Sequence, residues 1–188
     1  MNMAVYDLQL PLTDDAVQML RAGDEVTLTG EIYTGRDAAH KRLIALLDEG
    51  KPLPVELNGQ TIYYVGPCPA SPGHAVGSAG PTTSYRMDAY TPRLLQLGLK
   101  GMIGKGKRND AVRAAMQEYG AVYFGAVGGA AALIARSIRK MEVIAYPDLG
   151  AEAIHRFTVE NFPVIVLMDA FGGNLYEEGP RLYKQEIL

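Results

Sequence analysis

Residues 24–32 alternate. Val26, Leu28, Gly30 and Ile32 fall on one side, and Glu25, Thr27, Thr29 and Glu31 on the other. A period of two is the pattern of a half-buried strand. Just beyond it the period lengthens: Ala39, Leu43, Leu46 and Leu47 recur at helical spacing over residues 36–48, and Gly50 closes the run. The chain continues in this manner. Residues 13–23 predict a short helix, with Thr13 as N-cap and Gly23 just past its end. Residues 61–65 and 121–124 are apolar runs of strand length, and residues 101–103 read as the end of another strand. Asn109 caps a helix over residues 110–119 that stops at Gly120. Thr82 or Thr83 is placed to cap a helix running to about residue 97, with Leu94 and Leu95 on its buried side. Residues 125–136, G-A-V-G-G-A-A-A-L-I-A-R, read as a glycine turn entering a short helix; residues 137–146 and 162–169 read as strands, and the polar last residues as a frayed end. The predicted fold class is α/β with a mixed sheet, in one domain over residues 1–188.

Two stretches break the alternation. Residues 51–59 form a loop with two prolines. Residues 66–81 hold four prolines and four glycines, a density no helix survives. This stretch is too apolar for a solvated linker. It reads either as an ordered loop lining a pocket or as a flexible connection.

Composition narrows the function classes. Hydrophobic residues make up 48% and charged residues 21%, which is ordinary for a globular chain with a real core. A net charge of −3 offers no basic face for nucleic acid. No apolar run reaches the roughly 18 residues needed to cross a bilayer. The first residues lack a basic region followed by an apolar one, so the expectation is a cytoplasmic protein with neither membrane nor nucleic-acid partners. One cysteine, Cys68, leaves no intrachain disulfide and too few thiolates for an iron–sulfur cluster held by this chain alone. No His, Cys and carboxylate residues fall at metal-ligand spacing, so no metal site is expected.

The candidate chemistry lies in three cations. Arg36 in G-R-D-A-A-H, Arg86 in G-P-T-T-S-Y-R-M-D and Lys105 in G-K-G-K-R-N-D each fall near an expected helix start. A helix N-terminus carries partial positive charge, which mildly disfavours a cation there. Free N–H groups together with a cation make an anion site, and three of them suggest a small polyanion such as a dicarboxylate. Thr82 and Thr83 lie one turn before Arg86, where a hydroxyl and a guanidinium can share a face. His40, one turn after Arg36, is a further candidate. Other motifs fail. A Walker loop needs glycine where Leu99 stands and Ser or Thr where Gly106 stands. G-A-V-G-G-A does not match G-x-G-x-x-G, and no G-x-S-x-G elbow supports a hydrolase triad.

Residues 78–88 (S-A-G-P-T-T-S-Y-R-M-D), G-K-G at 104–106 and G-R-D-A-A-H at 35–40 together resemble the β subunit of class I fumarase and of L(+)-tartrate dehydratase. They equally resemble the C-terminal domain of the single-chain enzymes of that family. The resemblance implies a swivelling β/β/α domain of an iron–sulfur hydro-lyase that adds or removes water across a C4 dicarboxylate. Fumarate and malate are the implied substrates, with tartrate, or a non-catalytic anion-binding module, as alternatives. It implies a 4Fe–4S cluster bound by an α subunit and not by this chain. The implied assembly is a hetero-oligomer active only with that partner, or a homodimer when the chain is isolated. Carried over residue by residue, Arg36 and Arg86 resemble the carboxylate-binding arginines, with Thr83 beside them. Lys105 resembles the lysine of the G-K-G loop, and Thr82 the threonine placed at proton transfer. The sequence departs from the family pattern at Lys107, where asparagine is usual, and at Cys68, where a small or polar residue is expected.

Overall fold

Strand alternation becomes a closed sheet. The computed structural model describes residues 4–70, 72–126 and 131–185, without the side chains of 131–133 and 181–185. Its strands are β1 (Val5–Gln9), β2 (Glu25–Thr34), β3 (Thr61–Tyr63), β4 (Gly101–Gly104), β5 (Val122–Ala126), β6 (Ile138–Ala145) and β7 (Ile154–Met168). They lie in the order β1-β2-β3-β4-β5-β7-β6, and β2 also pairs with β7. The second pairing closes β2, β3, β4, β5 and β7 into a barrel-like ring. β1 to β5 run parallel to their neighbours, and β7 runs antiparallel to β2, β5 and β6. The mixed α/β sheet read from the sequence is the one observed.

Side-chain parity divides the core in two. Leu28, Ile32, Tyr63, Ile103, Phe124 and Phe157 fill the inside of the ring. Ile62, Met102 and Tyr123, one position out of phase on the same strands, and Tyr64 just past β3 pack on the other side, with the helices. Those helices are α2 (Asp37–Asp48), α3 (Thr91–Gln96) and α4 (Asp110–Tyr119); α1 (Asp14–Met19), α5 (Ala131–Ser137) and α6 (Leu175–Gln185) complete the set. Each fully buried large apolar side chain contributes about 1.5–3 kcal/mol. Among the described residues no helix is long and apolar enough to cross a membrane.

Several expectations need correction. The single helix expected from Thr82 or Thr83 to about residue 97 is a 3-10 turn, Ser84–Met87, followed by α3. Pro92 is the reason: it has no N–H to give to the carbonyl four residues back, so a helix must restart there, with proline in its first turn. Thr83 precedes the 3-10 turn in extended conformation and makes no side-chain cap bond. β1 was not foreseen, although Tyr6, Leu8 and Leu10 alternate with Asp7 and Gln9. β7 is longer than the strand expected over residues 162–169, and the C-terminal segment continues into α6 rather than fraying from its start. The remaining elements lie where the hydrophobic pattern placed them, to within a few residues at their ends. Thr13 and Asn109 cap α1 and α4 through side-chain oxygens that accept from Ala16 N at 3.1 Å and Val112 N at 2.9 Å. Residues 127–130 of the expected glycine turn lie outside the described residues.

Candidate functional site

Parallel strands point their carboxyl ends the same way, so the loops that leave them gather at one edge. Among the described residues the loops after β2, β3 and β4 do so, and they carry the residues singled out by sequence. β2 runs into Gly35 and Arg36, β3 into Tyr64 to Gly66, and β4 into Lys105. Neighbouring strands stand about 4.8 Å apart, so the edge from β2 to β4 is roughly 10 Å wide.

Arg36 is the residue before α2, extended at φ −124°, and it makes no side-chain cap bond. Its guanidinium lies along the backbone at Gly66, where a Cβ would come within 3.0 Å of Arg36 Nη1. Arg36 Nε stands 3.2 Å from Glu152 Oε1. Its N–H is not aimed at that oxygen, however, and this buried donor has no hydrogen-bond partner among the described residues. The contact is therefore an ion pair by proximity that leaves a directed donor unused.

Thr82 donates its backbone N–H to the carbonyl of Tyr64 at 2.7 Å, which pins the T-T segment beyond the end of β3. Thr83 then forms a parallel bridge with Lys105, and Ser84 N donates to the Lys105 carbonyl at 2.9 Å. The two segments are drawn together tightly: a Cβ on Gly104 would lie 1.9 Å from Ser84 Oγ. Arg86, in the 3-10 turn and not at a helix start, approaches Asp37 Oδ2 at 3.8 Å. Asp37 is the residue after Arg36, so Arg86 reaches the first residue of α2. Both members of the Arg86–Asp37 pair are nearly half exposed, so its contribution to stability is about 0–1 kcal/mol. Lys105 is exposed and has no ion pair among the described residues. It borders a cavity of about 430 Å³ walled by Gly104, Gly125, Ile165, Leu167 and Tyr176, of which Arg36, Thr82 and Arg86 are not part. The backbones of the four residues thus lie in segments that follow the neighbouring strands β2, β3 and β4.

His40 is fully buried on α2. Its Nδ1–H donates to the Arg36 carbonyl at 2.8 Å, and its Nε2 has no partner among the described residues. Burial lowers its pKa to about 4, so the ring is neutral at physiological pH. It supports the Arg36 turn from behind. Sequence reading missed Glu152, which sits in the 3-10 turn Pro147–Glu152 after β6, far from any motif. It also missed the pairing of Asp88 with Arg108, although both lie inside the quoted motifs.

Cys68 is exposed in the proline-rich loop, where its N–H donates to the Ser78 carbonyl at 2.9 Å. Among the described residues no three His, Cys, Asp or Glu side chains converge as metal ligands. One thiol cannot hold a 4Fe–4S cluster, so the residues of this chain do not fit that group.

A family model described as the fumarase C-terminus matches residues 2–179. The chain belongs to the fumarase C-terminus family. It is 41% identical over 177 residues to the anaerobic class I fumarate hydratase of Escherichia coli, covering 92% of this chain and 32% of that protein. It is 36% identical over 176 residues to fumarate hydratase 2 of Leishmania major, covering 92% and 31%. A Methanocaldococcus jannaschii protein described as an L(+)-tartrate dehydratase subunit beta is 39% identical over 173 residues, 89% of each chain. This fumarase C-terminus domain spans about a third of the length of the fumarate hydratases it matches.

Proposed function

We propose that this chain is the β-type part of a hydro-lyase that hydrates and dehydrates a C4 dicarboxylate, with fumarate and malate as the substrate pair. The observation that carries the reading is the edge itself. Arg36, Arg86 and Lys105 border it from three different segments, and Arg36 keeps a buried N–H donor without an acceptor. A carboxylate would satisfy that donor and meet a planar, charged fork.

The chemistry removes a proton next to one carboxylate and a hydroxyl from the neighbouring carbon, so negative charge builds on that carboxylate as the C–H bond breaks. Prepositioned cations lower the energy of such charge more than that of the ground state. We assign Arg36 and Arg86 to the two carboxylates, with Thr83 beside them, and Lys105 to the developing charge. Thr82 stands at the proton-transfer position. A threonine hydroxyl is a poor base alone, so it acts in a relay. His40, neutral and buried, holds the Arg36 turn and takes no proton.

A 4Fe–4S cluster belongs to the proposal only as the property of a partner subunit or preceding domain, and no step of this chain runs through it. The description of the M. jannaschii relative as a subunit supports a partner. That relative's name also supports tartrate as the second substrate reading. A single swivelling β/β/α domain, located in the cytoplasm, is part of the same proposal; the closed sheet with helices packed outside supports the fold assignment.

The test is anaerobic co-purification with a cluster-bearing α partner, followed by assay with fumarate, malate and L(+)-tartrate. The expected result is turnover by the complex and none by the chain alone. Turnover of tartrate with the higher kcat/KM would move the substrate reading to tartrate. Turnover by this chain without a partner would overturn the subunit reading.

A further inference from the structure

Behind the edge lies a charged pair that the proposed chemistry does not use. Arg108 and Asp88 have side chains that are 0% and 6% exposed, and Arg108 Nε donates to Asp88 Oδ1 at 2.6 Å. Asp88 Oδ2 accepts from Asn109 N at 2.8 Å. Arg108 Nη2 donates to Thr91 Oγ1 at 2.9 Å, and its Nη1 lies 3.4 Å from Met102 Sδ. The guanidinium carbon stands 5.2 Å from the centre of the Tyr64 ring and 5.1 Å from that of Tyr123. The Tyr123 hydroxyl, in turn, donates to the Gly106 carbonyl and lies 2.9 Å from Ser84 Oγ.

Such a pair is a poor source of stability. Two charges lose most of their hydration on burial, and apolar residues of similar volume often serve as well. What the pair does is geometric. Asp88 closes the segment that carries Thr82, Thr83 and Arg86, and Arg108 closes the loop that carries Lys105. Joining them fixes one segment against the other, two residues after Arg86 and three after Lys105.

We propose that Asp88 and Arg108 are positioning residues, which hold Arg86 and the threonines in register with Lys105 across the β3–β4 edge. The inference rests on the dicarboxylate reading for its kinetic consequence, but not for its structural one. A site of this kind tolerates little misplacement, since about 1 Å can cost a hundredfold in rate. The two carriers lie outside the strands, and the Asp88–Arg108 pair adds a side-chain tie to the backbone bonds between Thr83, Ser84 and Lys105.

The experiment compares wild type with a neutral double variant, Asp88→Asn with Arg108→Met. Asparagine keeps an acceptor for Asn109 N, and methionine keeps the apolar stem. Backbone amide exchange is read on the isolated chain, and kcat and KM on the complex with its α partner. The expected outcome is a thermal midpoint near that of wild type, faster exchange across residues 82–86 and 104–107 together, and a kcat lower by about tenfold to a hundredfold with KM little changed. Wild-type exchange or wild-type kcat in the folded double variant would overturn the proposal. Arg108→Lys keeps the charge but not the fork, and serves if the neutral pair does not fold. It should show the same paired loosening, and wild-type protection in both segments would count against the proposal equally. A wild-type complex inactive on every C4 dicarboxylate would defeat the function reading alone, because the exchange arm still decides whether the two segments are coupled.

Discussion

Arg86 was legible because its motif is dense and specific; what it does next to Asp37 was not, since sequence cannot place residues forty-nine positions apart. The exposed contact at 3.8 Å lets the guanidinium leave Asp37 for a ligand. Arg86→Lys keeps the charge but loses the planar fork. The expected loss in kcat/KM is about 1–3 kcal/mol in transition-state terms, with the thermal midpoint unchanged. Steady-state kinetics of the complex, paired with melting curves, checks this; an unchanged kcat/KM would leave Arg86 a surface residue. His40, a site candidate from the sequence, is fully buried and bonded to the Arg36 carbonyl. Its pKa falls from 6.5 to about 4, so the unfolded chain binds a proton that the folded chain refuses. The sign follows: stability from this group is complete above pH 6.5 and is lost as pH falls toward 4, by about 3 kcal/mol. Denaturant titrations across that window should show the loss, and His40→Gln should remove about one proton from the slope. A wild-type stability flat over the window would mean that the ring is solvated.

Elements were legible where one period held and illegible where it changed. β7 shows why. Phe157 and Val159 face inward at odd positions, and Phe162, Val164 and Val166 at even ones. Asn161 takes φ +52° between them, opposite the register shift between Leu28 and Gly30. The extra residue of this bulge switches the parity, so a strict alternation finds only the second half of the strand. Pro92 was visible but its consequence was missed, because hydrophobic spacing through residues 94 and 95 suggested continuity. The contact between β4 and the 3-10 turn offers a test at this scale. Gly104→Ala puts a methyl group against Ser84 Oγ and within 2.9 Å of Tyr64 Cδ2. Overpacking of this kind costs about 1–3 kcal/mol. It should also push the Thr83 strand away from Lys105, lowering kcat/KM along with the melting temperature. A variant that melts earlier with intact kcat/KM would mean that the Gly104–Ser84 contact does not govern the site. The capping side chain of Asn109 serves as the control: Asn109→Ala should cost about 1 kcal/mol in stability, with kcat/KM much less affected, as read by the same two measurements.

At the scale of the molecule, the class of the sheet was legible in the sequence and its closure was not. β2 meets β7 across more than a hundred residues of chain, a pairing that no local period encodes. Closure matters because it fixes the strands whose carboxyl ends form the edge. The three cations lie on separate segments rather than around one cavity. The most direct measurement is a crystal structure of this chain in complex with its α partner and a bound C4 dicarboxylate. One carboxylate of the ligand should meet Arg36 and the other Arg86, with the ligand within hydrogen-bonding reach of Thr82 and Lys105. Ligand density seated elsewhere, such as in the cavity beside Val5 and Glu25, with Arg36 still turned to Glu152, would contradict it.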